Sequence, residues 1–199
     1  MSNGWLAVAG AGLAVAVASL GAASRADIQR GEVRVFHAVN GLPGWLYWVV
    51  WPPMQLGNLV VGTVFGLATA WVTGEPAVAV GVILAMILKL VTERVVRHEM
   101  RAYLEVRKRP GTSQPGAVLR GSDVPSTGAS FPSGHVILVA AIGCVIAPTL
   151  PVRLVWIPFF VTAVVMVGRV YVGAHNPLDV TAGLGVGLLL GGVLAAFVG

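Results

Sequence analysis

Residues 180–198 read VTAGLGVGLLLGGVLAAFV, nineteen positions without a charge. At about 1.5 Å of rise per residue a helix of this length matches the roughly 30 Å hydrocarbon core of a bilayer. The pattern repeats upstream. No charged residue occurs before Arg25, between Arg34 and Glu75, between Glu75 and Lys89, between Asp123 and Arg153, or between Arg153 and Arg169. Across the 199 residues only 11% are charged and 56% are hydrophobic. Soluble domains carry about a quarter charged residues, and disordered chains need low hydrophobicity and high charge, so both classes are excluded. A single cysteine, Cys144, excludes a disulfide scaffold and a cysteine-based zinc cluster.

The gaps define an all-α, polytopic membrane protein of six spans: about Trp5–Ala23, Trp45–Val72, Ala77 to beyond Val91, Val136–Leu150, Leu154–Val170 and Val180–Val198. Runs rich in Ala, Val, Leu and Gly without period-two alternation argue against a barrel, and backbone in lipid must satisfy its own hydrogen bonds. The first span lacks the basic start of a signal peptide, since residues 1–5 hold no Lys or Arg, and reads as a retained helix. Pro52-Pro53 removes two backbone donors and is expected to kink or divide the second span. Trp45, Trp48 and Trp51 form an interfacial belt. Gly183, Gly185, Gly187, Gly191 and Gly192 mark a close-packing face. We read residues 1–199 as one membrane-embedded domain.

Six spans put the segments 24–44, 93–135 and 169–179 on one face of the membrane, leaving Glu75 and Arg153 on the other. The chemistry is expected at that first face, at one end of the bundle. Phe131-Pro132-Ser133-Gly134-His135 opens the fourth span, and Arg169, His175 and Asp179 lie ahead of the sixth. Arg107-Lys108-Arg109-Pro110 lies upstream of both. Arginine presents a planar fork that fits phosphate oxygens and stays charged. Ser133 and Gly134 start a helix, whose free backbone donors and dipole suit an anion. His175 and Asp179 are four apart, which on a helical turn brings the carboxylate within reach of a ring nitrogen and orients the imidazole as nucleophile or base. A Pro-Ser-Gly-His alone could be a capped helix start, and an arginine at a boundary can snorkel to headgroups. All of them together on one face suit chemistry on a phosphate. His37 and His98 have no ligand partners in the sequence and read as structural or interfacial. No metal site and no cofactor are expected.

These residues resemble the type 2 phosphatidic acid phosphatase superfamily, whose motifs are Lys-x6-Arg-Pro, Pro-Ser-Gly-His and Ser-Arg-x5-His-x3-Asp. Residues 132–135 match the second letter for letter. Arg169, His175 and Asp179 match the third, with Gly168 in place of its serine. Arg109-Pro110 ends the first, but Ala102 stands where its lysine belongs. Arg101 is the leading substitute, because eight residues return about 80° past two helical turns, with Lys108 and Lys89 behind it. The motif core covers about residues 89–180.

The resemblance implies a metal-independent lipid phosphatase. His175 would form a phosphohistidine, held by Asp179. His135 would be the general acid. Arg109, Arg169, Ser133, Gly134, Arg101 and Lys108 would hold the phosphate. A site at the bilayer surface favours a lipid phosphate: phosphatidic acid, phosphatidylglycerol phosphate, or a polyprenyl phosphate or diphosphate. Partners are membrane lipids and no nucleic acid. Residues 111–115 and Arg120 are candidates to touch a headgroup. A phosphotransferase with the same intermediate and a non-catalytic lipid-phosphate binding or transport protein are the alternatives. A soluble haloperoxidase shares the motif types but not the spans. Composition points to a bacterial plasma membrane. Arg25, Arg30 and Arg34 lie on the motif face, so the positive-inside rule puts the site in the cytoplasm, although many members of the superfamily act on the outer face. A neutral His175 paired with a protonated His135 would give a bell-shaped pH profile.

Overall fold

Gly183, Gly187 and Gly191 recur at every fourth position of the last helix and share one face. A Cβ on them would lie 2.7 Å from the carbonyl oxygens of Ser133, Ile137 and Ala141 respectively. Gly185 and Gly192 fall on a second face, where their Cβ positions are taken by the backbone of Ala16 and by Trp5 and Ala9. The glycine run is therefore two packing surfaces, one for each neighbouring helix.

The computed structural model describes residues 2–23, 25–99 and 107–198, whose regular elements are all helices apart from a single isolated bridge between Lys108 and Ala129. The helices are α1 (Ser2–Ala23), α2 (Ala26–Asn40), α3 (Tyr47–Met54), α4 (Leu59–Thr73), α5 (Pro76–Glu99), α6 (Pro110–Ser113), α7 (Gly134–Ile146), α8 (Ile157–Tyr171) and α9 (Pro177–Val198). Helix α1 lies along α9, and Ser19 Oγ donates to Thr181 Oγ1 at 3.0 Å across that seam. Helix α7 is the centre of the bundle, packed by α4, α5, α8 and α9. Residues 136–146 are all buried.

Four stretches are long and apolar enough to span a bilayer: Asn3–Ala23, Pro76–Val96, Val152–Tyr171 and Pro177–Val198. A fifth is the bent pair Gly44–Gly57 and Leu59–Thr73, with a 72° angle between its halves. Gly134–Thr149 is shorter, and its enclosure by other helices removes the need to match the lipid. The protein is thus an integral membrane bundle with four or five candidate spans among the described residues, and the fourth stretch expected from the sequence is a shorter, buried helix.

Two local expectations change. The second span divides at Gly57–Asn58 and not at Pro52-Pro53, which sit inside α3. Asn58 restarts the helix, its side chain accepting from Val60 N at 2.9 Å. The segment 24–44 carries a helix, α2, which lies against α8 and α9. Among its described side chains Glu32, Phe36 and Asn40 are the buried positions, spaced by four, while Arg30 and Arg34 are exposed. Trp45, Trp48 and Trp51 are exposed, as an interfacial belt requires.

Candidate active site

The arginines that follow the undescribed segment 100–106 are placed by a short backbone pairing. Arg109 N donates to Gly128 O at 3.2 Å, and Ser130 N donates to Arg107 O at 3.3 Å. In extended chain alternate side chains share a side. Arg107 and Arg109 therefore turn inward and Lys108 outward, where it is exposed. At the end of α8 the chain reverses through Gly173 at φ 79°, a left-handed conformation that favours glycine. A Cβ there would also lie 2.7 Å from Val118 O. This turn delivers Ala174 and His175 back over Arg169, whose carbonyl accepts from both of their amides.

These elements enclose a cavity of about 450 Å3 at the motif end of the bundle. His135 and His175 line it, with the cations Lys89, Arg109 and Arg169 and the carboxylates Glu93 and Asp123. Arg109 Nη1 donates to Ala174 O at 2.9 Å. Arg169 is buried, and its Nε has no hydrogen-bond partner among the described residues. A buried guanidinium donor left in this condition is costly unless a ligand meets it. Lys89 Nζ is 3.1 Å from Glu93 Oε1, and both pack on Gly134, where a Cβ would overlap the Glu93 carboxylate. Gly57, at the break of the second span, lies against His135, with only 2.8 Å between a Cβ there and that of the histidine.

His175 Nδ1 is 2.8 Å from Ser130 O. A carbonyl only accepts, so Nδ1 carries the proton and Nε2 keeps its lone pair. Burial, together with the Arg169 and Arg109 guanidiniums and His135, holds the pKa of His175 well below the ordinary histidine value, and the bond to Ser130 only partly opposes this. The imidazole is a neutral nitrogen base among fixed cations.

The expected pairing of His175 with Asp179 takes a different form. Nδ1 is 4.0 Å from Asp179 Oδ2, too far for a hydrogen bond. The spacing of four does not act as it would inside a helix, because α9 starts only at Pro177. The carboxylate is also occupied elsewhere: Arg107 Nε and Nη2 donate to Oδ1 at 2.9 and 2.8 Å, and Asn176 N donates to Oδ2 at 2.8 Å. Arg107 reaches Glu32 with its other edge, Nη1 to Oε2 at 3.1 Å and Nη2 to Oε1 at 2.7 Å. Burial works against the Arg107 charge, but Glu32 and Asp179 outweigh it, and its pKa is raised.

Of the residues singled out in the sequence, His135, His175, Arg109, Arg169 and Gly134 meet at this cavity. Asp179 lies behind His175, fully buried. Ser133 is also buried, off the cavity wall; its Oγ caps nothing and has no partner among the described residues. Arg101 falls in the undescribed segment. Lys108 does not line the cavity, and Lys89 does. Residues 111–115 do not line it either. Arg120 serves the fold, donating to Tyr171 O at 2.8 Å and Leu42 O at 3.1 Å. His37 packs edge-on against Phe36, and His98 is exposed. Among the described residues no three His, Cys, Asp or Glu side chains gather as a metal site would require. Glu32, Glu93, Asp123 and the Ser130 carbonyl were not picked out from the sequence, and Arg107 only as one member of the basic run 107–110. Gly168, where the family motif has serine, lies against Met54, whose Sδ would be 2.6 Å from a Cβ there.

Fold and site together define a helical membrane protein with histidines and arginines converging on one cavity at a bundle end. Residues 77–199 match the PAP2 superfamily, and the chain belongs to it. Its fold is similar to that of a transmembrane PAP2-type phosphatidylglycerolphosphate phosphatase from Bacillus subtilis, with a TM-score of 0.70 and 24% identity over 94% of this chain and 95% of that one. It is also similar to Aquifex aeolicus LpxE, with a TM-score of 0.59 and 22% identity over 79% of this chain and 90% of that one. A comparison with curated proteins gave no match.

Proposed function

We propose that the protein is a lipid phosphatase that works through a phosphohistidine at His175 without a metal ion. The observation that carries this reading is the pairing of a neutral imidazole, its Nε2 lone pair free to react, with the buried Nε of Arg169, which has no partner among the described residues, on the same cavity. Membership of the superfamily supports a phosphatase.

In the first step Nε2 of His175 forms a bond to phosphorus as the bond to the leaving oxygen breaks, and His135 gives that oxygen its proton. In the second step His135 takes a proton from water, the water oxygen bonds phosphorus, and the N–P bond breaks. Arg169, Arg109 and Lys89 carry the phosphate oxygens through both steps, which is most of what phosphoryl transfer asks of a protein. Lys89 takes the part of the first-motif lysine on this reading, because its ammonium lies on the cavity where Lys108 does not.

Phosphatidic acid, phosphatidylglycerol phosphate and polyprenyl phosphates or diphosphates are the candidate substrates. The three cavity cations are offset by Glu93 and Asp123, which favours a phosphomonoester over the more highly charged diphosphate. We place the site on the cytoplasmic face of a bacterial plasma membrane, from the basic residues Arg25, Arg30 and Arg34 on the motif side.

The test is phosphate release in detergent from a panel of these lipids with excess chelator, wild type against His175→Asn. Release by the wild type alone is expected. Release that needs an added divalent ion would remove the metal-free mechanism. Tight lipid binding with no release from any substrate would favour a phosphate-binding protein.

A further inference from the structure

Behind the catalytic cavity, Glu32 of α2, Arg107 and Asp179 of α9 form a chain of buried charges, 8%, 5% and 0% exposed. None of the three lines the cavity. Arg107 bonds both carboxylates with paired donors, Glu32 Oε1 also accepts from Leu178 N at 2.7 Å, and the guanidinium lies 5.7 Å from the centre of the Phe131 ring. Buried ion pairs are often no more stable than an apolar replacement, so stability alone does not account for this one. Its position does: the far carboxylate stands 4.0 Å from His175 Nδ1.

We propose that Arg107 and Glu32 are positioning residues for His175: they hold the Asp179 carboxylate turned away from the imidazole, which stays bonded to Ser130 with Nε2 presented to the substrate. Were Asp179 free to turn, its carboxylate could accept the Nδ1 hydrogen bond in place of Ser130 and raise the basicity of Nε2, so that the ring would take up a proton within the ordinary histidine range. Clamped at 4.0 Å, it still offsets the positive charge that the ring acquires when Nε2 bonds phosphorus. Glu32 fixes the other side of Arg107, and its bond to Leu178 N ties α2 to the start of α9. The other charges around His175 come from Arg109, from Arg169 on α8 and from His135 on α7, with Lys89 and Glu93 of α5 and Asp123 on the same cavity.

The inference rests on the phosphatase reading for its consequence but can be tested apart from it. The experiment compares wild type with Arg107→Lys, an ammonium that keeps the charge but cannot make paired bonds to two carboxylates. Nitrogen-15 spectra of the His175 ring in detergent need no substrate. Wild type should keep the Nδ1–H tautomer from about pH 8 to about pH 6, whereas Arg107→Lys should titrate within that range. With phosphatidylglycerol phosphate or phosphatidic acid as substrate, kcat should fall at least about tenfold while KM stays within about twofold.

If Arg107→Lys does not fold, Glu32→Gln serves: it should lower kcat in the wild-type background and have no further effect in Asp179→Asn. A folded Arg107→Lys with the wild-type titration and kcat would overturn the proposal. So would additive losses for Glu32→Gln and Asp179→Asn. A wild type inactive on every lipid phosphate would remove the phosphatase reading, and the ring titration would still decide the role of Arg107.

Discussion

The low pKa of His175 comes from the groups that surround it more than from the residue spaced four positions later. Its pKa is held well below the ordinary value by burial and by Arg169 and Arg109. A base whose pKa is lowered stays neutral as pH falls through the usual histidine range. The acidic limb of kcat/KM, which reports the free enzyme, should therefore lie below about pH 6.5. Initial rates over pH 5–8, about the window in which histidines titrate, check this; a limb at or above the ordinary value would contradict it. Lys89 and Lys108 offer a second test, since Lys89 lies on the cavity and Lys108 turns outward. Lys89→Met should lower kcat/KM about ten- to hundredfold and Lys108→Met less than about twofold, and the reverse order would sink the assignment. The histidines and arginines that meet at the cavity were legible because their side-chain chemistry is written in the one-letter sequence. The Ser130 carbonyl was not, since any residue supplies one. Arg107 looked like one member of a basic cluster, and only the placement of α2 shows that it faces two carboxylates.

At the scale of elements, the site depends on how closely α9 approaches α7. Gly187 leaves no room for a side chain: a Cβ would be 2.6 Å from that of Ala140 and 2.7 Å from Ile137 O. Gly187→Leu should push the helices apart, cost more than the roughly 1–3 kcal/mol of ordinary overpacking and abolish activity, because α9 carries Asp179 and α7 carries His135. Gly10→Leu, where a Cβ meets nothing within 4 Å, should leave thermal midpoint and activity near wild type. Equal effects on the two midpoints would refute the packing argument. The spans themselves were readable from charge gaps, since bilayer thickness sets their length. Helix α2 was hidden by the rule that exposed it in the structure: its buried positions Glu32, Phe36 and Asn40 keep helical spacing, but two of the three are polar. A search for apolar periodicity passes over a stripe whose partners are Arg107 and the carbonyls of Val118 and Tyr171. The break in the second span moved from Pro52-Pro53 to Asn58 for a similar reason, because the cap there is a side-chain bond that turn composition alone did not flag.

At the scale of the whole molecule, one end of the bundle holds nearly all the charge, and the orientation proposed from the arginine count puts that end in the cytoplasm. With buried Cys144 replaced by alanine, an impermeant thiol reagent applied to intact cells should miss Ser122→Cys and label Glu75→Cys at the opposite end; the opposite pattern would put the site outside. The central claim is that phosphorus passes through His175. It is tested most directly by quenching the enzyme during turnover of a lipid labelled with radioactive phosphorus and locating label on the protein. The account predicts an acid-labile phosphohistidine at His175 in the wild type, absent from His175→Asn. Continued phosphate release by His175→Asn, with no label on the wild type, would contradict it.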